Sequence, residues 1–211
     1  YNKNLSFKNS VNKVLFIDDK YKISNLKKYL SNKEYSCVSD LLKSKDNKNK
    51  ILSFEISSKV NIVLVSIKVN ITSTELENLG ANFYDIFKKT QIKNFIMYSD
   101  TAPKNKTNVV SYFLHGLKLK SYRFEKYKSK KSRLSIVVTV IGKNKPSTKD
   151  KIKLQSIENG TFYTRDLVSE PGNILHPDEY AKRLGLLKKD GLKVTIYDDK
   201  KLKKLGMNTL L

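Results

Sequence analysis

The chain has 211 residues, of which 39% are hydrophobic, including 12 tyrosines and nine phenylalanines. That length and composition suffice for one domain with a buried core and part of a second. No apolar run approaches the roughly 20 residues of a membrane-spanning helix, and the single cysteine, Cys37, excludes an intrachain disulfide. We therefore expect a soluble protein of a reducing compartment, by default the cytoplasm, with no membrane partner.

The formal net charge of +22 would attract polyanions such as nucleic acid. However, only four of the 42 basic residues are arginine, which is the better ligand for phosphates and guanine edges. The excess of lysine, together with abundant asparagine, is typical of coding bias in an AT-rich genome. We interpret the densest cluster, residues 126–131, as a solvated loop, with a polyanion-binding patch as the alternative.

The first fifty residues predict short elements. Strands are expected at Asn4–Lys8 and Lys13–Ile17, followed by an Asp-Asp-Lys turn at 18–20. Neighbouring carboxylates on a strand would point to opposite faces, so a turn is favoured over a metal site. A short helix is predicted at Ser24–Leu30, and Leu41–Lys50 is interpreted as a charged connection.

The next segment contains the clearest patterns. Ile51–Ser57 alternates apolar and polar residues, and Val60–Asn70 is more continuously apolar, so the two are predicted to be paired strands. A helix is predicted at Thr72–Thr90. Thr72 and Glu75 have the spacing of a capping box, in which each side chain bonds the backbone N–H of the other residue.

The pattern then continues as an alternation of strands and helices. A strand is predicted at Asn94–Tyr98, a helix at Asn108–Lys120, and a strand at Arg133–Ile141. The apolar centre of this last strand favours the middle of a sheet covered on both faces. The alternation predicts an α/β domain that ends near Gly142, and Gly142–Lys153 is interpreted as a polar linker.

The last fifty residues predict a further α/β unit. A helix at Ile157–Glu170 is stopped by the Pro-Gly-Asn turn at 171–173, because proline cannot continue a helix and glycine and asparagine tolerate left-handed backbone. A second helix is expected to start at Pro177. A short strand at Lys193–Tyr197 and a helix at 201–207 follow.

No residue set predicts catalysis or metal binding. His115 and Cys37 have no ligand partners at suitable spacing, and His176 is expected at a helix N-cap. Arg165 and Asp166 are adjacent on a helix and cannot face each other, so they do not predict a catalytic pair. The two aspartates at 198–199 suit a helix N-terminus. We therefore predict no catalytic, cofactor-binding or metal-binding residue within the chain.

Two motifs occur in order along the chain. Residues 116–128 read GLKLKSYRFEKYK, and residues 164–173 read TRDLVSEPGN, followed by HPDEYAKRL and KKLGMNTLL. The first resembles the Gly-x-x-Leu-x-Ser-Tyr-x-Phe-x-x-Tyr-Lys signature near the end of the N-terminal domain of the leucyl aminopeptidase, or cytosol aminopeptidase, family. The second is similar to the segment that opens the family's catalytic domain, although the family more often has a small hydroxyl residue where His176 stands.

The resemblance implies a fold and a domain plan. It implies an α/β fold with a mixed sheet flanked by helices in residues 1–142, similar to the macro domains that bind ADP-ribose. A lysine-rich linker at 143–156 and an incomplete α/β catalytic domain at 157–211 would follow. Nucleotide binding would need a glycine-rich phosphate loop at a strand end, and 143–146 is not one. A sheet shared by residues 160–211 and the opening strands would contradict this plan.

The resemblance also implies a function for the intact protein. It would be a metallopeptidase that releases N-terminal residues, preferably leucine, from peptides, using two divalent cations, manganese or zinc, in a homohexamer. The family's metal motifs lie beyond residue 211, so this chain alone is predicted to be inactive and free of metal. The alternatives are a lysine-rich nucleic-acid-binding module, since some bacterial members bind DNA, and a non-catalytic structural homologue.

Overall fold

A computed structural model describes residues 12–44, 49–58, 60–103, 108–131 and 135–210. The chain divides into two compact units, one that ends at Phe162 and one that begins at Tyr163. The predicted strand Asn4–Lys8 lies outside the described residues. The predicted domain boundaries near residues 142 and 156 stay a prediction.

The first unit is built on a five-stranded mixed sheet. Its strands are β1 (Asn12–Asp18), β2 (Ile51–Ser57), β3 (Val60–Ile67), β4 (Asn94–Tyr98) and β5 (Val137–Ile141), in the spatial order β2-β3-β1-β4-β5. β1 runs parallel to β3 and β4, and β4 runs parallel to β5, whereas β2 pairs antiparallel with β3. The predicted fold class, a mixed sheet flanked by helices, is confirmed.

Helices cover both faces of this sheet. They are α1 (Asn32–Ser44), α2 (Ser73–Phe87), α3 (Val109–Lys120) and α4 (Thr148–Ser169), the last of which runs on into the second unit. Side chains of β1 alternate between the two faces, as a strand requires. Val14 and Phe16 pack with α2 and α3, and Leu15 and Ile17 pack with α1.

An aromatic cluster forms the centre of the core under α2 and α3. The ring of Phe83 lies 4.7 Å from that of Phe87, 5.0 Å from that of Phe95 and 5.6 Å from that of Phe113. Phe83 and Phe113 are fully buried. Such edge-on and tilted ring pairs add about 0.5–1.5 kcal/mol each to the free energy of burial.

Two glycines let α2 and α3 approach each other closely. A Cβ at Gly80 would lie 1.9 Å from the backbone oxygen of Phe113, and one at Gly116 would lie 1.9 Å from that of Glu77. Backbone atoms cannot yield as the end of a side chain can. The crossing of these two helices therefore requires glycine at both positions.

The second unit consists of the end of α4, the helices α5 (Pro177–Gly185) and α6 (Asp199–Lys204), and short 3-10 turns at Leu186–Asp190 and Asn208–Leu210. None of residues 163–210 is buried, and none contributes a strand to the sheet. The sheet that would have contradicted the predicted plan is therefore not found in these residues.

Two predictions in the first fifty residues were wrong. α1 occupies Asn32–Ser44, whereas the sequence analysis interprets Leu41–Lys50 as a charged connection. It is started by Ser31 and Glu34: the Ser31 N–H donates to Glu34 Oε2 (2.7 Å), and the Glu34 N–H donates to Ser31 Oγ (3.3 Å). The predicted helix Ser24–Leu30 contains only a 3-10 turn at Ser24–Leu26.

Three later predictions also need correction. Among the described strands, β5 lies at the edge of the sheet and has alternating half-exposed residues, and it is not a central strand. α4 begins at Thr148 rather than at Ile157, because Ser147 Oγ accepts the Asp150 N–H (3.0 Å) and starts the helix earlier. Residues 193–197 form no strand, since no neighbouring strand pairs with them among the described residues.

Candidate functional site

The carboxyl ends of the parallel strands β1, β4 and β5 meet at one edge of the sheet, which is where open α/β sheets bind ligands. Two adjacent cavities of about 660 and 630 Å³ lie there. Both are lined by Lys28 and, after β4, by Asp100, Ala102 and Pro103. This edge therefore has the position expected of a ligand site in such a sheet.

The larger cavity has a basic lining. It includes Lys28, Lys143 and Lys145 and the first residues of α3, whose N-cap Asn108 has left-handed backbone (φ 65°) and no side-chain cap. Lysines and a helix N-terminus both favour anions. However, Asp100 Oδ1 accepts the backbone N–H groups of Lys143 (2.6 Å) and of Asn144 (3.3 Å). These two backbone donors of the loop after β5 are thus bonded to a carboxylate of the protein itself and not to the cavity.

The other candidates in the first unit have structural surroundings. Asp18 Oδ1 accepts the N–H groups of Lys20 (3.1 Å) and Lys22 (2.9 Å), which makes the Asp-Asp segment a turn, as predicted. Cys37 is a free, partly exposed thiol on α1. Within the described ranges, no group of three or more His, Cys, Asp or Glu side chains could hold a metal ion.

His115 is a buried residue of α3 with one satisfied ring nitrogen. Its Nδ1 lies 2.8 Å from Oε1 of Glu77 on α2, and its side chain is 4% exposed. Its Nε2 is buried and has no hydrogen-bond partner in the part of the chain that the structure describes. Glu158 on α4 lies nearby: burial raises its pKa, against the opposing influence of the charges of His115 and Lys118.

Sequence reasoning missed the contact between His115 and Glu77. The two residues are 38 positions apart and meet only because α2 and α3 cross at Gly80 and Gly116. A histidine beside a glycine in an otherwise apolar helix was the available signal.

In the second unit, Arg183 joins two acidic residues. Its Nη1 lies 3.0 Å from Oε1 of Glu170, and its Nε lies 2.9 Å from Oε1 of Glu179. The Tyr163 hydroxyl also donates to the backbone oxygen of Arg183 (3.0 Å). The hydrogen bond from Arg183 is the main cause that lowers the pKa of Glu179. This arrangement, which the sequence analysis did not identify, ties α5 to the end of α4.

The predicted helix caps of this unit are observed. His176 is the N-cap of α5, with extended backbone and no side-chain hydrogen bond, and Pro177 follows it. The Asp198 side chain accepts the Lys201 N–H (2.8 Å) at the start of α6. Arg165 and Asp166 lie exposed on α4.

Two surface properties complete the description. Residues 126–131 are exposed and form a loop, and the nucleic-acid interpretation of this cluster stays a prediction. A search of the described residues finds no helix with both the length and the apolar content to cross a membrane.

The comparison with known families identifies the first unit. Residues 14–131, more than half of the chain, match the family model described as the cytosol aminopeptidase family, N-terminal domain. The chain belongs to this family. The resemblance found in the two sequence motifs is thereby confirmed, and the matched range contains the first of them.

Curated relatives in the family are considerably longer than this chain. It is 39% identical over 101 residues to a probable cytosol aminopeptidase of Bradyrhizobium sp., and that match covers 46% of the chain and 20% of the relative. It is 35% identical over 134 residues to a probable cytosol aminopeptidase of Phytoplasma mali, and that match covers 58% of the chain and 27% of the relative. The matches thus span about a fifth to a quarter of the relatives' length.

Several solved structures share the fold. A tomato leucine aminopeptidase variant has a TM-score of 0.71 at 18% identity, and the similarity covers 95% of this chain and 44% of that one. The cytosol aminopeptidase of Coxiella burnetii has a TM-score of 0.62 at 16% identity, covering 93% and 40%. A bottromycin maturation enzyme in complex with Mn has a TM-score of 0.61 at 15% identity, with the same coverage.

Proposed function

We propose that this chain is the N-terminal domain, linker and opening catalytic segment of a leucyl-aminopeptidase-like metallopeptidase of the cytoplasm. The intact enzyme releases N-terminal residues, preferably leucine, from peptides and assembles as a homohexamer. The match of residues 14–131 to the family's N-terminal domain carries this proposal. We assign residues 1–142 to that domain, 143–156 to the linker and 157–211 to the catalytic domain.

The exposed apolar surface of the second unit supports the last of these assignments. Large hydrophobic side chains there are exposed to solvent by 36% to 81%. They include Val168, Ile174, Leu186, Leu192, Ile196 and Leu210. A segment with so much uncovered apolar surface is typical of an incomplete domain or an interaction site. We infer that these side chains pack against the remainder of a catalytic domain.

The metal ions belong to the same proposal. The relative crystallised with Mn supports manganese, with zinc as the other candidate, in a pair of divalent sites. The described residues do not fit such a pair, since they offer no group of three or more potential ligands. We therefore assign the metal ligands to a segment beyond residue 211 and assign no step of the reaction to this chain.

The proposal is tested by extending the coding sequence past residue 211 and assaying both proteins on a leucine anilide with added manganese. We expect hydrolysis by the extended protein, loss of that hydrolysis with EDTA, and none by the 211-residue chain. An extension without lysine and carboxylate metal motifs, or an extended protein that is folded, loaded with metal and inactive on all N-terminal residues, would contradict the proposal. Activity of the 211-residue chain would show that the site assignment is wrong.

A further inference from the structure

A further cavity, separate from the two at the sheet edge, lies between α3, β5 and the first half of α4. It measures about 370 Å³, which is within the range of about 300–1,000 Å³ that ligand pockets occupy. Six apolar residues line it: Leu114, Leu117, Ile136, Val138, Pro146 and Leu154. We refer to it as the α3–α4 cavity. All of its lining residues belong to the first unit.

His115 belongs to the polar lining of the α3–α4 cavity, and its Nε2 is the buried atom that has no hydrogen-bond partner among the described residues. A carboxylate only accepts hydrogen bonds, so Nδ1, which faces Glu77, carries the proton of the neutral ring. In this neutral tautomer Nε2 is a lone-pair acceptor. An unpaired buried acceptor costs about 1–3 kcal/mol. A donor that enters the cavity would remove that cost.

The charged residues of the α3–α4 cavity have both signs. Glu158 offers a half-buried carboxylate from α4, Lys118 offers an ammonium group from α3, and Lys151 of α4 also lines the cavity. Glu158 and Lys118 are close enough for the lysine charge to affect the glutamate electrostatically. The cavity therefore combines two acceptors, two cationic groups and an apolar wall.

We infer that the α3–α4 cavity binds a free amino acid with a branched or straight apolar side chain. The ammonium group of the ligand donates to the Glu158 carboxylate. When the flexible Glu158 side chain rotates, the same ammonium group also donates to His115 Nε2. The carboxylate of the ligand pairs with Lys118, and its hydrocarbon part packs against Leu114 and Leu154. A zwitterion is favoured because it matches both signs of charge, whereas a simple amine would be repelled by the lysines and a simple carboxylate by Glu158.

The inference is tested on the 211-residue chain with EDTA present, by recording backbone amide NMR shifts during a titration with L-leucine. We expect saturable shifts in residues 111–118 and 146–158, with a dissociation constant of about 0.1–1 mM for a ligand of about nine non-hydrogen atoms. Isoamylamine, isocaproate and glycine each lack one of the three recognised groups and should bind at least about tenfold more weakly. The measurement does not depend on peptidase activity. Absence of leucine binding would therefore leave the proposed function standing, and absence of peptidase activity in the extended protein would leave this inference standing.

Two matched variants locate the site. Glu158→Gln removes one acceptor charge and should weaken leucine binding about tenfold. Glu55→Gln removes the same charge from an exposed position of β2, at the opposite edge of the sheet, and should leave binding unchanged. Glu158 is half-exposed, so its variant is expected to fold.

Several outcomes would overturn the inference. One is the absence of saturable shifts at about ten times the expected dissociation constant. Equal binding of isocaproate or isoamylamine would show that the cavity selects one charge and not a zwitterion. An ordered water on His115 Nε2 in a crystal grown with leucine, without leucine density, would show that the acceptor is satisfied by solvent alone.

Discussion

All buried hydrophobic side chains of the described residues lie between Val14 and Leu154, in the first unit, whereas residues 163–210 have none. The first unit packs two helical layers on a twisted sheet and closes its core with an aromatic cluster. The second is organised by local contacts, such as those of Arg183 with Glu170 and Glu179. Because burial of apolar surface is the dominant favourable term in folding, the first unit is expected to hold nearly all of the chain's cooperative stability.

The two units also give different kinds of evidence for function: a family match in the first and an exposed apolar surface in the second. A unit with its own core can be matched to a domain family, and residues 14–131 are. The second unit has exposed apolar side chains and capped helices instead of a core. Those side chains indicate that further protein surface packs against this unit. Its value for the proposed function lies in that uncovered surface.

The sharpest test of this comparison truncates one aromatic side chain in each unit. Phe83→Ala removes the ring at the centre of the core and should lower the free energy of unfolding by about 3–5 kcal/mol. Tyr180→Ala removes a side chain that is 44% exposed, and it should change the free energy of unfolding by no more than about 0.5 kcal/mol. Urea denaturation followed by circular dichroism measures both. Similar losses would show that the second unit shares the cooperative core.

A smaller effect is expected from pH. Burial acts to raise the pKa of Glu34, but the hydrogen bond from Lys13 and those from Ser31 outweigh it and hold the pKa below its usual value. A lowered pKa in the folded state means that the ionised group adds stability above the unfolded-state pKa, and that this contribution is lost as the pH falls through the folded-state value. Glu34→Gln should therefore cost about 1 kcal/mol at neutral pH, after allowance for solvent screening.

The difference between the parent chain and Glu34→Gln should narrow as the pH falls below about 4.5. Denaturant midpoints measured at neutral and acidic pH check this. The matched control is Glu179→Gln, whose carboxylate also has a lowered pKa but lies on the surface of the second unit. It should leave the midpoint of the first unit unchanged at every pH. A pH-independent loss in Glu34→Gln would assign the effect to packing rather than charge.

Sequence patterns predicted the parts of the fold that depend on local periodicity and caps. β2 was predicted from its alternation of apolar and polar residues, β3 from its apolar run, and α2 from its capping box at Thr72 and Glu75. α1 was missed although Ser31 and Glu34 form the same kind of pair, so that error was avoidable. The apolar side chains of α1 meet the sheet at Val38 and Leu42, one helical turn apart.

Other features depend on tertiary pairing and were not predictable from one sequence. The position of β5 at an edge follows from strand order, which a continuous apolar run does not specify. The contact of His115 with Glu77 depends on a helix crossing, and the α3–α4 cavity depends on where α4 begins. The candidate site was therefore less predictable than the elements that carry it.

The smallest expected effect compares a helix cap in each unit. The Thr72 side chain accepts the Glu75 N–H (3.2 Å) at the start of α2, and the Asp198 side chain accepts the Lys201 N–H (2.8 Å) at the start of α6. Losing either cap removes one hydrogen bond, so the local cost is about 1 kcal/mol in both. In Thr72→Ala that cost should appear in the global unfolding curve, because α2 is packed into the core. In Asp198→Ala it should appear only as faster amide exchange within 199–205, because α6 has no buried residue through which its loss would reach the rest of the chain. A global shift in Asp198→Ala would break the comparison between the two units.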